Sequence, residues 1–162
     1  MLIAHIPSGY FTAKALKYEK KSLIIASMIF AVLPDLGLIY FYLFSNRQIS
    51  HRQYFPHLPI IMVAAFLVTL PLWRVKFFEK FKPYYVLFFV NWAIHVLLDT
   101  FTERIYWLWP FSGRGFMLVE IPATFGHWII SFILHWSFAV ELAIIAIAGA
   151  IFLKSRRASR RL

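Results

Sequence analysis

The sequence predicts an all-α protein, a multi-spanning membrane bundle of about four transmembrane or half-buried helices. Hydrophobic residues make up 61% of the 162 positions, whereas soluble domains contain about 45–50%. Charged residues make up only 15%, below the roughly 25% that is typical of soluble domains. Much of the outer surface is therefore expected to face lipid. The apolar runs lack the alternation of strands, and a bilayer excludes open sheet edges.

Four apolar segments account for the predicted helices. In chain order they are residues 22–44, 58–73, 84–99 and 127–153. A helix needs about 17–25 apolar residues to span a bilayer. The two middle segments are therefore either tilted spans or half-buried helices. We expect a single integral membrane domain over residues 1–153 and a basic cytoplasmic tail over residues 154–162.

The first apolar segment contains a helix breaker, Pro34, followed by Asp35 and Gly37. Proline has no backbone N–H and disfavours helical geometry in the residue before it, so the backbone is expected to kink here. Irregular backbone at membrane depth is tolerated where it lines a cavity. Asp35 is therefore expected to point into a cavity. The alternative is that Asp35 caps the second half of a broken helix.

Positive charge lies between the apolar segments and at the C-terminus. The formal net charge is +10, and residues 154–162 contain five basic residues. Basic loops beside spans anchor a chain against anionic headgroups, so the lipid bilayer is the expected partner and no nucleic acid is expected. Binding of a cytoplasmic partner by the tail is the less favoured alternative. The alternation of basic-rich and basic-poor loops predicts a multi-pass protein with both termini in the cytoplasm.

The third segment carries a pair of candidate functional residues, His95 and Asp99. Their spacing of four places both side chains on one face of a helix. The pair could supply two metal ligands, or Asp99 could orient the imidazole from behind. The same pair could also be a hydrogen bond that satisfies two buried groups. The sequence leaves these alternatives open.

Further nitrogen and oxygen donors occur along the chain, and ionisable residues in apolar surroundings are costly and usually functional. They are His5, Asp35, His51 and His57. The chain contains no cysteine, which leaves a donor set that suits zinc, manganese or iron. Arg52 follows His51 and could bind phosphate bidentately. A polar interfacial loop would explain the same two residues without a site.

The last segment contains further ionisable residues at irregular spacing. His127, His135 and Glu141 do not fall on one helix face. We expect His135 to form an interhelical hydrogen bond, with Glu141 either as its neighbour or as an unpaired functional acid.

The order of these residues resembles a family of bacterial membrane-bound metal-dependent hydrolases, the YdjM-like inner-membrane proteins. The resemblance covers roughly residues 1–115. The matching features are His5, Ala31–Leu36 (AVLPDL), His51-Arg52 with His57, His95–Thr100 (HVLLDT) and Trp109–Ser112 (WPFS).

The resemblance implies a bacterial inner-membrane protein with a divalent-metal site and a hydrolase activity, distantly similar to zinc-dependent phospholipases C. It carries over six metal ligands: His5, Asp35, His51, His57, His95 and Asp99. Zinc is the first choice, with manganese or iron as alternatives. This chain departs from the family in having Gly37 where a second Asp is common. It also has Pro56 and Leu58 beside His57, where the family often has a hydroxyl.

The leading hypothesis is hydrolysis of a phosphoester of a lipid or a lipid-linked substrate at the membrane surface. Asp35 would be a bridging ligand or the general base, and Arg52 would stabilise the developing phosphate charge. A small transporter or proton relay using buried Asp and His is one alternative. A non-catalytic membrane interaction protein is the other. The sequence does not define the substrate or the oligomeric state.

The predicted topology conflicts with the predicted ligand set at His5. If residues 1–21 are cytoplasmic, His5 lies across the membrane from His51 and Asp99. Either residues 1–13 re-enter the membrane, or His5 is not a ligand, or the number of spans differs by one.

Overall fold

The computed structural model describes residues 3–37 and 57–159, and it confirms the all-α prediction. These ranges contain no β-strand, only an isolated antiparallel bridge between Ile105 and Phe116. Six α-helices follow one another along the described residues. They are α1 (His5–Ala15), α2 (Lys21–Val32), α3 (Pro59–Thr69), α4 (Lys82–Thr102), α5 (Trp128–Ile133) and α6 (Phe138–Ser159).

Two helical stretches of the described chain are long and apolar enough to cross a membrane. They are Lys76–Thr102 and Phe138–Arg157, whereas the apolar stretch Pro59–Arg74 is shorter. Within Phe138–Arg157, only 11% of the apolar window is buried, against 44% within Lys76–Thr102. An apolar helix that the rest of the fold leaves uncovered requires lipid or another protein around it.

Two of the predicted apolar segments are interrupted. Helix α2 ends at Val32 and continues as a 3₁₀ turn over Leu33–Asp35, as the breaker Pro34 predicts. The last segment was expected to be one helix, but it divides into α5 and α6 at residues 134–137. There the Ser137 backbone N–H donates to His135 Nδ1 at 3.3 Å, and the Ser137 hydroxyl lies 2.9 Å from the same nitrogen. Such local side-chain hydrogen bonds compete with the helical ladder.

The first helix folds back against the second. Gly9 makes this close approach possible, because a Cβ at that position would lie 2.6 Å from the carbonyl oxygen of Ser27 and 2.7 Å from Cα of Met28. The Ser27 hydroxyl donates to the Gly9 carbonyl at 2.7 Å. Helix α1 is therefore antiparallel to α2, and its first residue, His5, lies at the end of α2 that carries Asp35.

Helix α4 packs along α2 in the same direction. Near the start of both helices, the Tyr84 hydroxyl donates to Ser22 Oγ at 3.1 Å. Near their ends, His95 Nδ1 donates to the carbonyl of Ala31 at 2.7 Å. The two helices therefore carry their acidic C-terminal residues to the same end of the bundle.

Helix α6 packs against α1 and runs in the same direction. Glu141, in the first turn of α6, contacts the backbone N–H of Ile3 just before α1. Further along, Phe152 meets Tyr10 edge to face at a ring distance of 5.9 Å. Helices α2 and α4 therefore share one direction, and α1 and α6 share the opposite one.

The arrangement gives the bundle two chemically different ends. One, called here the site end, carries the start of α1, the end of α2, the end of α4 and the start of α6. The opposite end, called the basic end, carries Lys14, Lys17, Lys20, Lys21, Lys82 and Arg156.

Candidate metal centre

Five ionisable side chains converge at the site end. They are His5, Asp35, His57, His95 and Asp99. Side-chain exposure is 3% or less for the three imidazoles and Asp99, whereas it is 31% for Asp35. Buried ionisable groups at this density must compensate one another's charge or bind an ion, because an uncompensated buried charge is expensive.

Asp99 contacts all three imidazoles of this cluster. Its Oδ1 lies 3.1 Å from Nε2 of His5. Its Oδ2 lies 3.2 Å from Nε2 of His95 and 3.5 Å from Nε2 of His57. The one-face arrangement predicted for His95 and Asp99 is therefore present, but the pair is part of a larger group.

Asp35 brings a second carboxylate to the same three nitrogen atoms. Its Oδ1 lies 3.5 Å from Nε2 of His95 and 3.8 Å from Nε2 of His57. Its Oδ2 lies 4.0 Å from Nε2 of His5. The helix break at Pro34 places Asp35 in the cluster, where it contacts the imidazoles.

The hydrogen bond between His95 Nδ1 and the Ala31 carbonyl defines the tautomer of His95. A carbonyl oxygen only accepts, so His95 Nδ1 must carry the proton that it donates to Ala31. In the neutral ring, Nε2 then presents a lone pair toward the two carboxylates. A lone pair facing carboxylate oxygens is repulsive unless a cation lies between them, and a carbonyl behind an imidazole is the usual support of a metal ligand.

The distances between donor atoms also fit a metal ion. Donors at about 2.0–2.1 Å from a tetrahedral zinc ion lie about 3.4 Å apart. Ligand atoms of four residues lie within 4.8 Å of one another, and this group could hold a metal ion: His5, Asp35, His95 and Asp99. His57 Nε2 lies 3.4 Å from His95 Nε2, which makes it a fifth donor at the edge of the group.

The electrostatics of the cluster favour positive charge. Burial alone would lower the pKa of His57, but hydrogen bonds with Asp35 and Asp99, together with their negative charges, raise the pKa to about 9. An environment that stabilises a charged imidazole stabilises other cations for the same reason.

Glu141 supports the cluster from α6, and sequence analysis did not identify this role. Its Oε2 accepts from the backbone N–H groups of Ile3 at 2.6 Å and Ala4 at 3.1 Å. Ala4 precedes α1 and has no side chain able to cap it. Glu141 therefore satisfies the helix start from a distance of 137 residues in sequence, and it is not the unpaired acid that the sequence allowed.

The capped helix start determines the position of His5. The imidazole of His5 stacks on that of His95, with ring centres 3.9 Å apart. Nδ1 of His5 is buried without a hydrogen-bond partner among the described residues. The orientation of this ring therefore depends on ring stacking, on the contact of Nε2 with Asp99 and on the backbone that Glu141 holds.

The remaining candidates lie elsewhere. His127 caps α5 by accepting from the Ile129 N–H, and His135 bonds within its own turn. His51 and Arg52 lie outside the described residues. The predicted topology placed His5 across the membrane from Asp99, but the two residues are in contact. Nε2 of His5 lies 3.1 Å from Oδ1 of Asp99.

Comparison with known proteins supports the assignment to a membrane family. No curated protein and no solved structure matches the chain. The family model described as "YdjM inner membrane protein" matches residues 1–159, which includes every element described above. This match extends beyond the motifs to the last helix, and the chain belongs to the YdjM inner membrane protein family.

Proposed function

We propose that the protein is a membrane-embedded metal-dependent hydrolase that cleaves a phosphoester of a lipid or a lipid-linked substrate at the membrane surface. The observation that supports this most is the convergence of three imidazole Nε2 atoms and two carboxylates within about 4 Å. This donor set contains no thiolate and suits zinc, with manganese or iron as alternatives. When bound, such an ion would activate a water molecule and polarise a phosphoryl oxygen.

The residues proposed to hold the ion are the buried ones. His5, His95 and Asp99 offer converging donor atoms, and His57 completes the group. The Ala31 carbonyl keeps the His95 ring oriented with Nε2 toward the site. Such outer support restricts the ligands before the ion binds and strengthens binding.

Asp35 is proposed to act on the reacting groups as a bridging ligand or the general base. It has the largest exposed fraction of the cluster, 31%, so a water molecule or substrate can approach it. A carboxylate beside the imidazoles of His57 and His95 can accept a proton from an attacking water. The roles of His51 as a ligand and Arg52 as a phosphate-binding cation stay predictions from the sequence.

The proposed placement in the membrane follows from the two ends of the bundle. Lysine and arginine favour the cytoplasmic side, so we assign the basic end to the cytoplasm and the site end to the opposite surface. Asp99 follows Lys82 by 17 positions in α4, which corresponds to about 25 Å of helix, against a hydrocarbon core of about 30 Å. The site would then lie near the far interface, within reach of lipid headgroups.

This placement revises the expectation for the N-terminus. The prediction of two cytoplasmic termini treated residues 1–21 as one cytoplasmic stretch. Ile3 instead contacts the start of α6, whereas Arg156 lies 15 residues further along that helix. Of the two termini, we therefore assign only the C-terminal one to the cytoplasm.

Metal content tests the proposal directly. Protein purified in mild detergent and supplied with zinc, manganese or iron should retain stoichiometric metal by elemental mass spectrometry. The double variant His95→Ala/Asp99→Ala should lose it. The matched control His127→Ala/Glu120→Ala removes one imidazole and one carboxylate outside the cluster and should retain it.

Activity tests the hydrolase step separately. Metal-loaded wild type should hydrolyse a member of a phospholipid and lipid-phosphate panel, and Asp35→Asn should abolish turnover. Wild-type protein that binds none of the three metals would contradict the proposal. A pH-dependent ion flux in liposomes that Asp35→Asn abolishes would then favour the proton relay.

A further inference from the structure

A groove between α1, α2 and α6 takes no part in the candidate metal centre. Its volume is about 910 Å³. Most of its wall is apolar, formed by residues such as Ile6, Tyr10, Ile24, Met28, Ile145 and Phe152. Its lining also includes Lys14, Lys21 and Arg156, which belong to the basic end.

Helix α1 separates the groove from the metal centre. Its buried residues, which include His5 and Thr12, pack into the bundle. Ile6, Tyr10 and Lys14 follow one another at spacings of four and therefore form one stripe of the helix, and all three line the groove. From Ile6 to Lys14 this stripe extends about 12 Å, which gives an elongated apolar wall with a cation at one end.

The charged end of the groove has an excess of positive charge. Lys14 pairs with Glu19, while Lys21 and Arg156 add two further cations. The guanidinium of Arg156 lies over the Phe152 ring, 5.5 Å from its centre. This contact holds a cation at the boundary between the apolar wall and the charged mouth.

An anionic amphiphile complements this combination. An acyl chain buries its surface against an apolar trough, and a phosphate pairs with two or three cations at the mouth. Anionic lipids give the cytoplasmic leaflet its negative surface potential, and basic pockets between helices on that side bind their headgroups. The cations that line the groove belong to the basic end, which the charge distribution assigns to that leaflet.

We propose that this groove binds one anionic phospholipid of the cytoplasmic leaflet, with an acyl chain along the α1–α6 wall and its phosphate at Lys14, Lys21 and Arg156. The proposal does not depend on the hydrolase function, because the groove and the metal centre lie on different faces of α1. A lipid held in this way fills the space between α1 and α6 and stabilises their packing.

Gly149 makes a decisive steric variant possible. It lines the groove, and a Cβ added there would meet no atom within 4 Å. The Cβ of Gly149→Leu therefore meets no clash, the rest of its side chain adds volume to the groove wall, and the change replaces a poor helix former with a good one. We expect this variant to fold and to exclude the acyl chain.

Native mass spectrometry with phosphatidylglycerol or phosphatidylcholine of identical acyl chains measures the binding. Wild type should retain one phosphatidylglycerol at least tenfold more strongly than phosphatidylcholine. Gly149→Leu should lose that molecule, and Lys14→Gln/Lys21→Gln/Arg156→Gln should bind the two lipids equally. Arg74→Gln/Lys76→Gln/Lys80→Gln makes the same charge change outside the groove and should keep the preference.

The outcomes separate a specific site from general lipid contact. Equal retention of both lipids by wild type overturns the proposal. Retention of phosphatidylglycerol by Gly149→Leu at the wild-type level also overturns it. Circular dichroism and monodisperse elution establish that each variant is folded. If Gly149→Leu fails either criterion, the triple charge variant decides: an unchanged preference for phosphatidylglycerol overturns the proposal, and its loss supports it.

Discussion

Glu141 shows how one buried carboxylate can act on a site that it does not enter. Its hydrogen bonds to Ile3 and Ala4 satisfy the first amides ahead of α1, where no local side chain does so. The next residue in the chain is His5, whose Nε2 lies beside Asp99. A change in Glu141 is therefore transmitted to the candidate metal centre through the backbone between Ile3 and His5.

We predict that Glu141→Ala weakens metal binding about 10–100-fold, the range found for groups that support metal ligands. Glu141→Gln should lose less, because its amide oxygen still accepts a hydrogen bond. The measurement is competition with a chelator of known zinc affinity. Glu120→Ala, at a carboxylate that is 77% exposed, is the control and should bind like wild type. Wild-type affinity in Glu141→Ala would show that the start of α1 does not position His5.

Among single residues, the sequence identified site residues that a local motif marks, but not those that approach the site only through the tertiary fold. His95 and Asp99 share a helix face, and Pro34 marks Asp35, so both carboxylates could be identified. Glu141 could not, because its partners are backbone amides with no side-chain signature. The local hydrogen bonding of His135 was also missed, since the turn that separates α5 from α6 was predicted as helix.

The contact between α1 and α2 depends on the absence of a side chain at Gly9. Ser27 lies opposite, where its hydroxyl donates to the Gly9 carbonyl and accepts from Asn91 Nδ2 at 2.8 Å. All three residues are buried. This chain of hydrogen bonds joins α1, α2 and α4, and it requires the two backbones to be close.

Gly9→Ala should therefore destabilise the bundle, since its Cβ would overlap backbone atoms of α2 that cannot move aside. Overpacking of this kind costs about 1–3 kcal/mol. Thermal unfolding in detergent, followed by circular dichroism, should show a lower Tm, and metal retention should fall because His5 is displaced. Gly149→Ala adds the same methyl group in open space and should leave both quantities unchanged or slightly raised. Equal effects of the two changes would refute the close-contact explanation.

Sequence patterns predicted the elements unevenly. Helices α2, α3 and α4 follow from their apolar runs, and Pro34 gives the end of α2. Helix α1 was not predicted as part of the bundle, because Ser8, Gly9 and Thr12 interrupt its hydrophobicity. Those small and polar residues are buried against α2, where close packing and hydrogen bonds replace apolar area.

For the whole molecule, the two ends of the bundle give a topology that can be measured. The chain has no cysteine, so single cysteines can be introduced without a background. We predict that Glu120→Cys, in the loop after α4, reacts with a membrane-impermeant maleimide in cells whose outer membrane is permeabilised. Lys80→Cys, before α4, should react only after the inner membrane is lysed. The reverse pattern would place the site in the cytoplasm.

The antiparallel return of α1 also has a consequence for biosynthesis. Asp99 is translated 94 residues after His5, and Glu141, which caps α1, is translated 138 residues after Ile3. Contacts between residues so distant in sequence form late, because loop closure must come first. Before α6 is translated, the start of α1 therefore has no cap from Glu141, and the position of His5 is not yet supported. At the proposed metal site, a chain that is terminated before α6 should therefore lose its ion, because the start of α1 has no cap.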